Sequence, residues 1–303
     1  MSLFEHAVDR EAFIERYDKL KTKQAVRNSL SAFDKYRTEK YTTNESNYFE
    51  ELKKIPEHDV YMELDRIVQY WKGKTLSPKS IQLYFTFTRA WFRVNGISTH
   101  DDLIKSYIRM PKVLKEKSQS MTNEMASKIR SKMKKKYALF FEFICYSGLR
   151  LGGEALNLQV RDIEFSDPIK IRVRAEIAKT GAERITFVPV SLRDELMQLI
   201  NDKKENDRVF NITYQAYYKH FKTIRKQLGF VTKKQNGRMY MLNPYKARKY
   251  AKTNISMSTD SDFSEHILGH ENGVKGIYYE AEDEVLAQMY KKAEAGLKID
   301  SDK

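Results

Sequence analysis

A single cysteine, Cys145, in a chain of 303 residues excludes disulfide bonding and any cysteine metal cluster. It sits in the apolar run "YALFFEFICY", where it reads as a small buried hydrophobe, and so little cysteine suits a reducing cytoplasm. No apolar stretch approaches the roughly 20 residues of a membrane span, and no signal-peptide pattern opens the chain. Glycine is almost missing from the first hundred residues and no strand alternation occurs there, which leaves helix as the only regular structure for that part. Acidic residues are in deficit: 55 Lys and Arg face 41 Asp and Glu, a net charge of +14 and a pI near 9.5. Such an excess favours a polyanionic partner, nucleic acid above an anionic membrane surface.

What is present divides the chain in two. Up to residue 110 the segments "EAFIERYDKLKT", "VYMELDRIVQYW", "SPKSIQLYFTFTRAWFRV" and "THDDLIKSYI" place apolar residues three and four apart, predicting an all-helical domain of four or five helices. Ser77-Pro78 and Thr99 have the form of helix starts. Residues 111–120 lack apolar periodicity and carry several lysines, as a basic linker would.

Residues 121–303 mix helix and strand. "NEMASKIRSKMKKKYALFFEFICYSG" predicts two helices, the second ending at Gly148, where a left-handed cap costs glycine little. Ile169, Ile171, Val173, Ala175 and Ile177 alternate with Lys170, Arg172, Arg174 and Glu176, the pattern of a half-buried strand. "KTGAE" turns the chain and "RITFVPV" returns it, giving a β-hairpin tipped by Lys179. Ser191, Thr213, Asn243 and Asp262 are candidate caps for further helices, and "EAEDEVLAQMYKKAEAGL" predicts a last one. The fold class expected is mostly α with a small β-hairpin or sheet, in two domains.

Several chemistries find no support. "HILGH" spaces His266 and His270 as a zinc helix does, but lacks the adjacent glutamate, and Gly269 is placed to end the helix between them. "GHENGVKG" is not followed by Lys-Ser or Lys-Thr and opens no phosphate loop, and no G-x-S-x-G elbow occurs. No metal and no cofactor is expected. What remains is a series of cations and phenols: Arg150 in "YSGLRLGGEALNL", Lys179, Tyr245 and Arg248 in "NPYKARKYAKTNIS", His270 in "LGH", and Tyr278 and Tyr279 in "IYY". Each alone has an ordinary reading as a surface arginine, a turn lysine or a packed aromatic. Their order carries the information.

That order resembles the tyrosine recombinase, or phage-type integrase, family. There an arginine follows a "TGLR"-like helix end, a lysine sits in a β-hairpin, a His-x-x-Arg helix comes next, then "LGH", then a tyrosine about nine residues on. Here "SGLR" supplies Arg150, "AKTGAERITFVP" supplies Lys179, "YKAR" supplies Arg248, "LGH" supplies His270, and nine residues later stands Tyr279. The resemblance covers roughly residues 115–295; the helical part before it matches the family's core-binding domain only in size, basicity and helicity. Three departures stand out. Tyr245 occupies the usual histidine position, as in archaeal and archaeal-virus integrases. The acidic residue usually three after the first arginine is Glu154, four after it. "IYY" leaves two nucleophiles: counting from His270 selects Tyr279, whereas matching the common "IY" pair selects Tyr278.

The resemblance implies a site-specific recombinase that cleaves and rejoins DNA through a covalent 3′-phosphotyrosine, without metal or ATP. Arginine suits a phosphoryl transition state because its planar fork binds two oxygens at once and keeps its proton. Arg150 and Arg248 would form that clamp, Lys179 would protonate the leaving oxygen, His270 would donate to a non-bridging oxygen or orient the nucleophile, and Tyr245 would donate one hydrogen bond. Further implications are duplex DNA at attachment sites as partner, two domains closing round it, a homotetramer on DNA from a chain that can be monomeric in solution, a cytoplasmic, nucleoid-associated location and a mobile-element origin. The helix "YQAYYKHFKTIRKQL" is a candidate groove or backbone contact, with Tyr217, Phe221, Ile224 and Leu228 on its apolar face and Lys219, Lys222, Arg225 and Lys226 projecting elsewhere. A type IB topoisomerase and a non-catalytic DNA-binding protein are the competing classes.

Overall fold

The computed structural model describes residues 9–114, 120–233, 240–269 and 282–299. His270, Tyr278 and Tyr279, and residues 115–119 of the expected linker, lie outside the described residues. By internal contacts the chain divides into two units, Met1–Lys115 and Glu116–Lys303.

The first unit is helical, with α1 (Arg10–Glu15), α2 (Leu20–Lys40), α3 (Glu45–Lys54), α4 (Glu57–Gly73), α5 (Pro78–Val94) and α6 (Asp101–Tyr107). Six described helices thus replace the four or five expected. "EAFIERYDKLKT" is two helices, because Asp9 caps a short α1 by accepting from Glu11 and Ala12 N–H and the chain leaves helical geometry before Lys19, which is extended. α3 escaped notice although Asn44 caps it through Asn47 N–H at 2.8 Å. Ser77 caps α5 as expected, with Pro78 in the first turn. Thr99 is not a cap: α6 starts after His100, and the Thr99 hydroxyl and carbonyl instead accept from the guanidiniums of Arg89 and Arg93.

Aromatic residues fill this core. Phe33, Phe49, Phe92, Trp71 and Trp91 are buried, and the Phe92 ring meets Phe33 and Phe49 edge-on at 5.5 and 5.1 Å. One charge lies among them. Glu63 accepts from the hydroxyls of Tyr36, Tyr41 and Tyr48 at 2.8–2.9 Å and from Arg66 at 3.2 Å. Burial first, then the Glu63 charge, push the Tyr36 and Tyr48 hydroxyls well above the ordinary phenol range. Glu63→Leu should therefore lower the denaturant midpoint of this unit, through a loss of about 1–3 kcal/mol of unfolding free energy for each buried hydroxyl left without an acceptor. An unchanged midpoint would show that the hydroxyls find other acceptors.

The second unit is built round α8 (Lys135–Ser147), in which every residue from Ala138 to Ser147 is buried. A helix buried on all sides must be covered on all sides, and α11 (Lys246–Ser258) and strand β3 (Arg184–Val188) pack on it, while its one buried carboxylate, Glu142, accepts from Arg130 at 2.8 Å. β1 (Ile163–Glu164), β2 (Ile169–Val173) and β3 (Arg184–Val188) form an antiparallel sheet in that order, with Ile169 opposite Val188 and Val173 opposite Arg184. β2 is shorter than its alternation predicts, since Ala175 and Ile177 lie in a turn. Arg174 Nε donates to both oxygens of Asp162 at 2.8 and 3.1 Å, and Ile177 and Ala178 N–H fold back on the Arg174 carbonyl. Lys179 lies exposed in the loop 174–183 that joins β2 to β3.

The remaining helices are α7 (Asn123–Lys132), α9 (Arg193–Ile200), α10 (Tyr214–Gln227), α12 (Ser261–Leu268) and α13 (Asp283–Glu294). Gly148 and Gly269 close α8 and α12 in left-handed conformation, φ 65° and 63°, as the sequence predicts. Thr213 caps α10. Ser191 falls inside a 3-10 turn and caps nothing, and the cap of α12 is Asp260, accepting from Phe263 N–H, with Asp262 in the first turn. Asn243 accepts from Tyr245 N–H at 3.1 Å, and α11 opens two residues later than expected, at Lys246. Arg225 does not project from α10 with Lys219, Lys222 and Lys226: it is 2% exposed, 3.4 Å over the Tyr240 ring, and donates to the Leu242 carbonyl. Cys145 is buried as expected, and burial raises its thiol pKa well above normal. α13 buries Leu286, Tyr290 and Ala293 in the core of its own unit.

Candidate active site

Glu154 is the hub. It lies in the turn after α8, four residues past Arg150, and its side chain is completely buried. The Oε1 atom accepts from Arg150 Nη1 at 2.5 Å and from Arg184 Nη1 at 3.2 Å. Oε2 accepts from the Arg150 backbone N–H and from Arg184 Nη2, both at 2.8 Å, with Arg248 Nη1 3.8 Å away. Three guanidiniums from distant points of the chain thus gather on one carboxylate. The acid displaced by one place along the sequence does reach the arginine, through an i,i+4 contact.

The C-terminal turn of α12 supplies the other acceptors, one carbonyl to each cation. Ile267 O accepts from Arg184 Nε at 3.0 Å, Leu268 O from Arg248 Nη2 at 2.7 Å, and Gly269 O from Arg150 Nη2 at 3.2 Å. Arg248 Nη1 also donates to Gly148 O, at the end of α8, at 2.5 Å. Carbonyls at helix C-termini are the natural seats for cations. The turn then leads into His270.

Charge does not balance here. Burial, then the neighbouring Arg150, pull the Arg248 pKa down to about 10, with Glu154 opposing them. Burial pushes the Glu154 carboxyl up, but the hydrogen bonds and charge of Arg184 and the hydrogen bonds from Arg150 outweigh it, and the net value lies below the ordinary carboxylate range. Glu154 is therefore ionised and Arg248 protonated at neutral pH. Among the described residues the cluster sets three cations against one anion, an electropositive seat suited to an anionic ligand. Arg150 retains 18% side-chain exposure and Arg248 10%, enough for a ligand to reach their edges.

The sequence-predicted residues are placed unequally. Arg150 and Arg248 are brought together. Lys179 stands in the loop that enters β3 at Arg184. Tyr245 is 54% exposed at the start of α11, which removes the alternative of a packed core aromatic. Its neighbour is Tyr214, whose hydroxyl burial pushes up first, helped by Tyr245 and then Tyr218. His270, Tyr278 and Tyr279 lie outside the described residues. Among the described residues no group of three His, Cys, Asp or Glu can hold a metal, and no helix is long and apolar enough to cross a membrane.

Arg184 was missed. One signal was available: it shares parity on β3 with Thr186 and Val188, which point inward, and a charge at an inward strand position demands a buried partner.

No family model matches the chain. Tyrosine recombinase XerA of Saccharolobus solfataricus is 30% identical over 121 residues, 40% of this chain and 40% of that protein, so the match spans less than half of the relative. Among solved structures, a lambda integrase dimer bound to a COC′ core site superposes with a TM-score of 0.62 at 16% identity, covering 90% of this chain and 98% of that one. XerH site-specific recombinase bound to its difH substrate gives 0.60 at 18%, covering 92% and 82%. A lambda integrase tetramer bound to a Holliday junction gives 0.59 at 15%, covering 92% and 81%. At these identities the structures show the fold, which this chain shares with lambda integrase and XerH. Over 121 residues the chain is also similar in sequence to tyrosine recombinase XerA.

Proposed function

We propose that this chain is a site-specific DNA recombinase that cleaves and rejoins strands through a covalent 3′-phosphotyrosine. The observation that carries the proposal is the meeting of Arg150 and Arg248 on Glu154, in a cluster that among the described residues holds more positive than negative charge. A phosphodiester is an anion whose transition state places further negative charge on its oxygens, and a fixed pair of guanidiniums stabilises that charge without reorganising. The hydroxyl oxygen of Tyr279, with Tyr278 as the alternative, attacks phosphorus and displaces the 5′ oxygen. Its phenolic proton passes to solvent water, and the 5′ oxygen takes one from the Lys179 ammonium, which becomes a neutral amine until it takes the proton back in the reverse attack. The phosphoester bond is kept as a phosphotyrosine, so the reverse attack by a 5′-hydroxyl needs no nucleotide. His270 and Tyr245 donate hydrogen bonds to the phosphate. Tyr245 differs from a histidine in that it brings no positive charge.

The partner is duplex DNA at specific attachment sites, bound by residues 1–110 as a core-binding domain and 121–303 as the catalytic domain, with four copies on two duplexes during exchange. The relatives solved on a core site, on difH and on a Holliday junction support this reading. The excess of 55 basic over 41 acidic residues suits the phosphate contacts that dominate such binding.

Nicked suicide duplexes, in which cleavage releases a short fragment and traps the adduct, test the proposal. The unsubstituted chain should form a protein–DNA adduct in the presence of a chelator, Tyr279→Phe should form none while still binding DNA, and Tyr278→Phe should retain it. The reverse pattern moves the nucleophile to Tyr278. Binding with no adduct on any duplex would reduce the chain to a DNA-binding protein.

A further inference from the structure

Arg184 lies at a junction. It opens β3 opposite Val173, at the last rung of the ladder, so the loop bearing Lys179 is tied down where it enters the strand. Its side chain is 6% exposed and makes three hydrogen bonds: Nη2 to Glu154 Oε2 at 2.8 Å, Nη1 to Glu154 Oε1 at 3.2 Å, and Nε to Ile267 O at 3.0 Å. Arg150 uses the same carboxylate oxygens and the same turn. The turn is shaped round Arg184 as well. A Cβ on Gly269 would stand 2.8 Å from both Cδ and Nε of Arg184, and φ is +63° there, so only glycine lets the chain pass.

A buried guanidinium beside two others is costly unless it performs a task that an apolar residue cannot. Ile169, Ile171 and Val173 show that apolar side chains fill the neighbouring inward positions of this sheet. The task follows from how Arg150 is shared. Its planar head has five N–H donors, and those that meet a phosphate oxygen compete with Glu154 for its orientation. If Glu154 had Arg150 alone, the pull of a phosphate would strip a buried carboxylate of its partner. With Arg184 on both oxygens, Glu154 stays ionised and stationary, and Arg150 turns against a fixed point.

We propose that Arg184 is a positioning residue of the cleavage site, linking the Lys179 loop, Glu154 and the turn before His270 so that Arg150 and Arg248 are held toward the scissile phosphate. The inference rests on the recombinase reading. Lysine at 184 keeps the charge but cannot supply three N–H bonds in one plane; methionine keeps the length and removes the charge.

The experiment compares Arg184→Lys and Arg184→Met with the unsubstituted chain, on suicide duplexes drawn from a random-sequence pool by covalent capture on the unsubstituted chain. Each duplex is made with an ordinary scissile phosphate and with a methylphosphonate, which lacks the anionic non-bridging oxygen. Single-turnover adduct rates, duplex Kd and Tm are measured. Arg184→Lys should bind DNA with nearly unchanged Kd yet form adduct about 10–100-fold more slowly on the phosphate, the range for groups that orient a reacting shell. On the methylphosphonate that deficit should shrink to a few-fold, because the guanidiniums have less charge to meet. A general weakening of the fold would slow both substrates alike. Gly269→Ala, which displaces Arg184 without removing it, should reproduce the substrate-dependent loss. Equal losses on both substrates, adduct rates within about threefold of the unsubstituted chain, or failure of both Arg184 variants to give a cooperative melt would each overturn the proposal. If the unsubstituted chain captures no duplex, it is the recombinase reading that fails.

Discussion

Arg248→Ala is expected to slow adduct formation on a suicide duplex by on the order of 10³-fold, the scale on which a single arginine acts in phosphoryl transfer, with a much smaller change in duplex affinity. The physical reason is visible in its surroundings. Arg248 sits on the carbonyls of Gly148 and Leu268, beside Arg150 and within 3.8 Å of Glu154, and burial with Arg150's repulsion lowers its pKa to about 10. A cation held where its charge is disfavoured gains more from an arriving anion than one already solvated. Overall affinity, by contrast, is spread over many backbone contacts by a strongly basic chain. Because alanine leaves two carbonyls without their donor, Arg248→Lys serves as the companion variant. It keeps the charge but not the fork, and should recover part of the binding geometry and little of the rate. If both variants cleave at rates close to the unsubstituted chain, Arg248 does not touch the scissile phosphate.

Glu154→Gln carries the second large effect, and on stability. Removing the carboxylate leaves the buried Arg184 and the half-buried Arg150 without the anion they share, a change that costs about 3–5 kcal/mol when a buried pair is broken on one side. In a unit of this size that corresponds to a fall in Tm on the order of 10 °C. The pH dependence follows from the direction of the Glu154 shift. Its folded pKa lies below the unfolded value of about 4.3, so its contribution is complete above that value and is lost as pH falls through the folded pKa. The melting temperatures of the unsubstituted chain and Glu154→Gln should differ by a constant amount at pH 6–8, roughly, and converge only in acid well below about pH 4. A difference that persists there would mean that Glu154 acts by packing and not by charge.

Local signals served the sequence reading well. Gly148 and Gly269 end helices because a left-handed residue is needed there, Ser77 and Thr213 cap because a short hydroxyl reaches an N–H one turn on, and the run "YALFFEFICY" of α8 is almost wholly apolar because it is central. The reading failed where a side chain's partner lies far off in the chain. Thr99 looked like a cap, but two arginines of α5 claim its oxygens. Arg225 looked solvated, but Tyr240 and the Leu242 carbonyl take it inward. β2 ends early because Asp162, from the preceding turn, draws Arg174 out of the ladder direction. The site shows the same division. Arg150 and Arg248 were legible through short motifs at spacings the family shares. Arg184 was not, since its meaning comes from Glu154, thirty residues earlier, and Ile267, far beyond it.

The structure of the chain trapped on a suicide duplex tests most directly whether these two arginines serve one phosphate. The account predicts a phosphate bonded to the Tyr279 oxygen, with guanidinium nitrogens of both Arg150 and Arg248 at about 3 Å from its non-bridging oxygens, and Glu154 still held by Arg184. A trapped phosphate that neither guanidinium reaches, with both still turned wholly to Glu154 and the helix-end carbonyls, would contradict it.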